Sequence, residues 1–173
     1  GGVSIIDFTD SSKPFEIAYF DRGPIDAEEL VTGGYWSAYW YDGLIYGTEI
    51  IRGLDVFELL PSEYLSENEI AASNLADQGA VFNPQQQLAV TWPAHPRIAL
   101  AYMDQFQRAG RAVARDTELR EALQNADSQM SSGIGDPLLG RDILVLADGI
   151  DTNSIRLQPL KEVLVGIGVA LRR

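Results

Sequence analysis

The chain has 173 residues, 46% of them hydrophobic and 22% charged, which fits one globular domain or two small ones and excludes a disordered or fibrous polypeptide. It contains no cysteine and a single histidine, so disulfides, thiolate metal sites and two-histidine metal sites are excluded. The net charge of −12 is concentrated in residues 1–96, where 15 acids face three bases, whereas residues 97–173 hold ten of each. So acidic a first half repels phosphate backbones, and no nucleic-acid partner is expected.

Strand signals come first. Val3–Phe8 places apolar groups on both faces, as a strand buried on both sides would. Thr9-Asp10-Ser11-Ser12-Lys13-Pro14 is a turn cluster, and Phe15–Phe20 reads as a second strand. An acidic connection follows. Tyr35–Tyr41 and Leu44–Ile50 then flank Asp42-Gly43, the dipeptide preferred in two-residue hairpins with positive φ at both positions. After the turn at Ile51-Arg52-Gly53, Leu54–Leu59 is the fifth strand. The pattern predicts a meander, with one four-stranded unit from about Phe15 to Leu59. Gly2–Phe8 and Gly53–Leu59 share a pattern of glycine, aliphatics, an acid and a large apolar residue. Self-similarity at such a period suggests repeat architectures.

Helical signals occupy the rest. Ser66-Glu67-Asn68-Glu69 fits a capping box for a short helix to about Ala76. Asp77–Trp92, with Gly79, Pro84 and Gln85–Gln87, reads as an irregular crossing. A helix over Arg97–Ala109 carries Ile98, Ala101, Tyr102, Phe106 and Ala109 on one face and stops at Gly110. Asp116 or Thr117 can cap the next, which lines up Leu119, Ala122, Leu123, Ala126 and Met130. Asp136-Pro137 starts a helix with Leu139, Ile143, Leu146, Ala147 and Ile150 on one side. A last helix from near Pro159 buries Leu160, Val163, Leu164, Ile167 and Leu171. These amphipathic helices predict a small bundle. No run reaches the ~18–20 apolar residues that span a bilayer, so no transmembrane segment is expected.

The run Gly2-Val3-Ser4-Ile5-Ile6-Asp7-Phe8-Thr9-Asp10, closed by a proline turn, resembles the LVIVD repeat of bacterial and archaeal cell-surface proteins predicted to be β-propellers. Tyr35–Gly43, with Ile45-Tyr46-Gly47 and Arg52–Phe57, is similar to the final blade of such proteins. The resemblance covers roughly residues 1–70 and continues more loosely through Trp92–Gly110. It implies an α+β chain: the last blade of a β-propeller plus one strand, followed by a small helical bundle. The implied divisions are a blade segment over 1–60, a linker with a short helix over 61–96, and a bundle tail over 97–173. It further implies an extracellular, cell-surface or periplasmic C-terminal fragment that acts as a non-catalytic scaffold or binding module. Its partners would be the remaining blades or other copies of the chain. The alternative is an enzyme, metal-dependent or not, whose catalytic residues lie on absent blades.

Candidate sites are few. Asp21, Asp26, Glu28 and Glu29 offer hard oxygen ligands for calcium, without the alternating spacing of an EF-hand loop. Trp36, Glu49 and Arg52 are candidates for ligand binding: Trp36 within an aromatic run, Glu49 and Arg52 as a pair flanking the turn between the last two strands. His95, between prolines at a helix entrance, reads as a capping or surface residue. The glycine pairs lack the sequence of a phosphate loop. No spacing marks a catalytic acid/base pair.

Overall fold

The computed structural model describes residues 1–79, 81, 83, 90–151 and 157–173. Half of the sequence expected to form the irregular crossing, residues 80, 82 and 84–89, lies outside the described residues. The chain divides into a sheet unit, Gly1–Leu65 together with Gln78, and a helical unit of Ser66–Asp77 with the chain beyond Val90.

The sheet unit is built from β1 (Val3–Asp7), β2 (Phe15–Phe20), β3 (Tyr35–Tyr41), β4 (Leu44–Glu49) and β5 (Gly53–Glu58). All five strands lie where alternation and turn chemistry put them, but their pairing corrects the propeller expectation. β1 pairs antiparallel with β2 in a two-stranded sheet, and β3-β4-β5 form a separate three-stranded one. There is no four-stranded blade running from Phe15 to Leu59, and β1 is not a lone strand left over from a preceding blade. Connection length explains the difference. The turn after β1 is tied back on itself, with Asp7 accepting from the Thr9 amide at 2.7 Å and Asp10 accepting from the Ser12 amide at 3.0 Å. It therefore delivers β2 directly alongside β1, while a long Gly- and Pro-containing loop separates β2 from β3. The expected hairpin is present: Tyr41 faces Leu44 across Asp42 (φ 49°) and Gly43 (φ 77°).

The helical unit comprises α1 (Glu67–Ser73), α2 (Pro96–Arg108), α3 (Asp116–Ser131), α4 (Pro137–Asp148) and α5 (Gln158–Ala170). Three starts follow the sequence signals. Ser66 and Glu69 complete the capping box. His95 caps α2, its Nδ1 accepting from the Arg97 amide at 3.2 Å. Asp136 accepts from the Leu138 and Leu139 amides, with Pro137 at the first helical position. The fourth differs. Neither Asp116 nor Thr117 caps α3; Arg115 holds that position in the left-handed region (φ 55°) with no side-chain cap. Asp116 is instead engaged by Arg120 one turn on, at 2.9 Å.

The predicted apolar faces of α3, α4 and α5 converge on one core, whereas on α2 Ile98 and Ala101 pack with Ala72 in a second, smaller cluster and Ala109 is exposed. Leu119, Leu123, Ala126, Ile143, Ala147, Leu160, Leu164 and Ile167 are all completely buried, joined by Met103 and Ala99 of α2. A chain of charged contacts ties α1, α2 and α3 together on the outside. Arg108 grips Glu69 through both nitrogens at 2.6 and 2.8 Å, Arg120 binds Asp104 at 2.6 Å, and Arg97 binds Asp127 at 2.7 Å. Among the described residues no helix is long and apolar enough to cross a membrane.

Candidate functional site: a charged cleft beside the three-stranded sheet

The sheet unit carries a cleft of about 180 Å³ at the start of β3. It is formed by the Asp21–Gly34 loop, the end of β4 and the β4–β5 turn. Glu49 is its centre. Antiparallel register sets Glu49 opposite Tyr35 on one side and Gly53 on the other, which points its side chain inward, and it is 6% exposed. Its carboxylate accepts from the amide of Gly34 at 2.7 Å, from that of Ile51 at 2.8 Å and from that of Arg52. Those donors hold the carboxyl below the usual carboxylate range, the Gly34 amide contributing most and the Arg52 amide next. Gly33 is required by this packing: a Cβ there would lie 2.3 Å from the Ile25 side chain and 3.2 Å from Glu49 Oε1.

A second carboxylate stands nearby in the same sheet. Asp55 is brought to the inner face of β5 by alternation with Phe57. It accepts from the Tyr35 hydroxyl at 2.5 Å and pairs with Arg22 at 2.6 Å. The Tyr35 hydrogen bond, then that of Arg22, lowers its pKa. Burial, and then the bond to Asp55, raises that of Tyr35. Beneath them lie the rings of Phe20, Tyr35 and Phe57. Phe20 is 4.6 Å from Phe57, and Arg22 stacks over Phe20 at 5.3 Å.

Of the residues singled out from sequence, Asp21, Asp26, Glu29, Glu49 and Arg52 line this one cleft, and Glu28 and Trp36 do not. Glu49 and Arg52 meet differently from a side-chain ion pair. Glu49 takes the Arg52 backbone amide, and the Arg52 guanidinium reaches the Pro24 carbonyl at 3.3 Å. Asp21 accepts from the Gly23 amide, and Asp26 accepts from the Glu28 and Glu29 amides at 2.8 Å. These two carboxylates shape their own loop, and the Glu28 and Glu29 amides lower the Asp26 pKa in that order. Among the described residues, no group of three or more His, Cys, Asp or Glu converges as metal ligands would. Trp36 sits at the β3 bulge and is 76% exposed.

Sequence reasoning missed Tyr35, Asp55 and Arg22 as a unit. The signal for Asp55 was present: an acid on the inward-facing parity of a strand otherwise lined by Phe57. Chemically, Glu49 in the cleft and Asp55 beside it are carboxyls held below their ordinary range, and Tyr35 is a phenol held above its own. General acid–base pairs need pKa values pushed apart, one carboxyl upward. Here both Glu49 and Asp55 are pushed down, which suits charge pairing and loop anchoring. The chain matches no protein-family profile, no curated protein sequence and no solved structure.

Proposed function

We propose that this chain is a non-catalytic scaffold or binding module of the cell envelope, whose sheet unit is completed by another polypeptide. One observation carries the reading. Among the described residues, Ile45 is the only buried hydrophobic side chain of residues 1–65, while fourteen large apolar ones there are exposed, among them Phe8, Tyr19, Leu30, Trp36 and Leu54. Each large apolar side chain left in water forgoes about 1.5–3 kcal/mol of burial, and a unit with one buried apolar side chain against fourteen exposed ones lacks a core of its own. The two sheets, of two and three strands, also fall at the lower limit of what stands alone in water. The downward-shifted carboxylates of the cleft support the non-catalytic side of the reading. The envelope location rests on the LVIVD resemblance of the strand sequences alone.

The test is a hydrolase and glycosidase substrate panel on the full chain, alongside titration with an apolar-surface dye. We expect no turnover and strong dye binding without denaturant. Turnover that disappears in Glu49→Gln or Asp55→Asn would overturn the reading.

A further inference from the structure

A groove of about 650 Å³ runs through the sheet unit, away from the charged cleft. One wall is the consecutive stretch Glu16–Phe20, the other the stretch Phe57–Tyr64. Phe20 lies 4.6 Å from Phe57 and Phe15 lies 5.6 Å from Tyr64, so the two walls run antiparallel. Residues of both faces of β2 border the groove, Ile17 and Tyr19 as well as Glu16 and Ala18, which sets its length along the backbone edge of that strand. β2 is hydrogen-bonded to β1 alone and β5 to β4 alone. The first wall therefore brings the unpaired edge of β2, whereas β5 reaches the second only through Phe57 and Glu58. The floor is apolar, formed by Val3, Ile5 and Ile45.

Charge identifies the occupant. Glu16, Glu58 and Glu63 border the groove, all three are exposed, and no lysine, arginine or histidine is among the lining residues. None of the three carboxylates has an ion-pair or hydrogen-bond partner among the described residues. A second copy would bring an equally acidic rim against this one, and like charges at a strand edge oppose that pairing. A backbone edge is satisfied by another backbone, which a small amphiphile lacks.

We propose that this groove is a docking slot for an extended segment of a partner protein, apolar at alternate positions and carrying lysine or arginine between them, which adds as a strand to the edge of β2. The proposal rests on the binding-module reading above and specifies its partner. The apolar side chains pack onto the floor of Val3, Ile5 and Ile45, and the basic ones meet Glu16, Glu58 and Glu63.

The experiment uses the full chain and a fluorescein-labelled peptide KVTVKVTVK, with EVTVEVTVE as the acidic counterpart, read by anisotropy. Saturable binding of the basic peptide alone is expected. The double variant Glu16→Lys with Glu58→Lys should weaken it at least ~10-fold and admit the acidic peptide. Both positions are exposed, and circular dichroism verifies that the variant is folded. N-methylation of the basic peptide at every valine and threonine should abolish binding, because strand addition needs its amides. Absence of saturable binding overturns the proposal. So does binding unmoved by charge reversal, or binding retained by the N-methylated peptide, as for a small cationic amphiphile. Loss of peptide binding with a silent substrate panel rejects this occupant only; turnover in that panel rejects the binding-module reading itself.

Discussion

Helices α4 and α5 touch backbone to backbone at Gly140 and Gly168, and a single methyl group there tests the packing of the whole helical unit. A Cβ on Gly168 would lie 2.7 Å from Leu144 Cγ and 2.8 Å from the Gly140 carbonyl oxygen; one on Gly140 would lie 2.7 Å from the Gly168 carbonyl. Two effects oppose each other in Gly168→Ala. Helix propensity favours alanine by about 1 kcal/mol in a helix interior. Leu144 can rotate away, but the Gly140 carbonyl is fixed by its own helix, so the axes must separate by roughly 0.6 Å to restore an ordinary contact. That separation loosens the completely buried Ile143, Ala147, Leu164 and Ile167. Overpacking of this kind costs about 1–3 kcal/mol, leaving a net destabilisation of about 1 kcal/mol and at most about 2. For a unit of this size the melting temperature should fall by roughly 4–16 °C. Gly149→Ala is the control: it ends α4 at φ −75°, and its Cβ would meet nothing closer than 3.4 Å. It should be neutral or raise stability by up to ~1 kcal/mol. Because Gly140→Ala and Gly168→Ala open the same contact, the double variant should cost less than the sum of the two. Thermal melts followed by circular dichroism decide it. A Gly168→Ala protein that melts at or above the Gly149→Ala protein would refute the close crossing.

Three further outcomes are expected. Gly43→Val forces a β-branched residue to φ 77° in the β3–β4 hairpin and should destabilise the sheet unit by at least about 1 kcal/mol in urea unfolding, while Asp42→Gly should not. Burial holds the His95 pKa below its ordinary value, against the pull of Asp127 and with a smaller push from Arg97. Its contribution to stability is therefore complete above the unfolded value of about 6.5 and is lost as pH falls below it. The melting temperature of the helical unit should drop between pH 7 and 5, and His95→Asn, which keeps an N-cap acceptor but does not titrate, should flatten that slope. Glu49→Gln should reduce hydrogen-exchange protection at the Gly34, Ile51 and Arg52 amides. Because the Glu49 pKa is depressed, the difference from wild type should be present at neutral pH and shrink as acid protonates the native carboxyl.

What the sequence determined by itself is local. The strands follow from alternation and turn residues, and Asp42-Gly43 specifies its hairpin because few residues tolerate positive φ. Ser66, His95 and Asp136 start their helices because a side-chain acceptor lies within reach of free amides. The buried faces of α3, α4 and α5 were legible because a 3.6-residue period places Leu119, Ala122, Leu123 and Ala126 on one stripe. What only tertiary structure decided is pairing. Phe15–Phe20 carries no label distinguishing Val3–Asp7 from Tyr35–Tyr41 as its neighbour, since any extended strand edge offers the same donors and acceptors. The short turn to β1 settled that choice, and with it the propeller blade gave way to two small sheets. The candidate site divides the same way. Glu49 stood out as an acid at a strand end, but its role depends on the Gly34 amide delivered by a distant loop. Tyr35, Asp55 and Arg22 become one group only when β3 and β5 flank β4, because hydrogen bonds between residues far apart in sequence are made by register and leave no mark in composition or spacing.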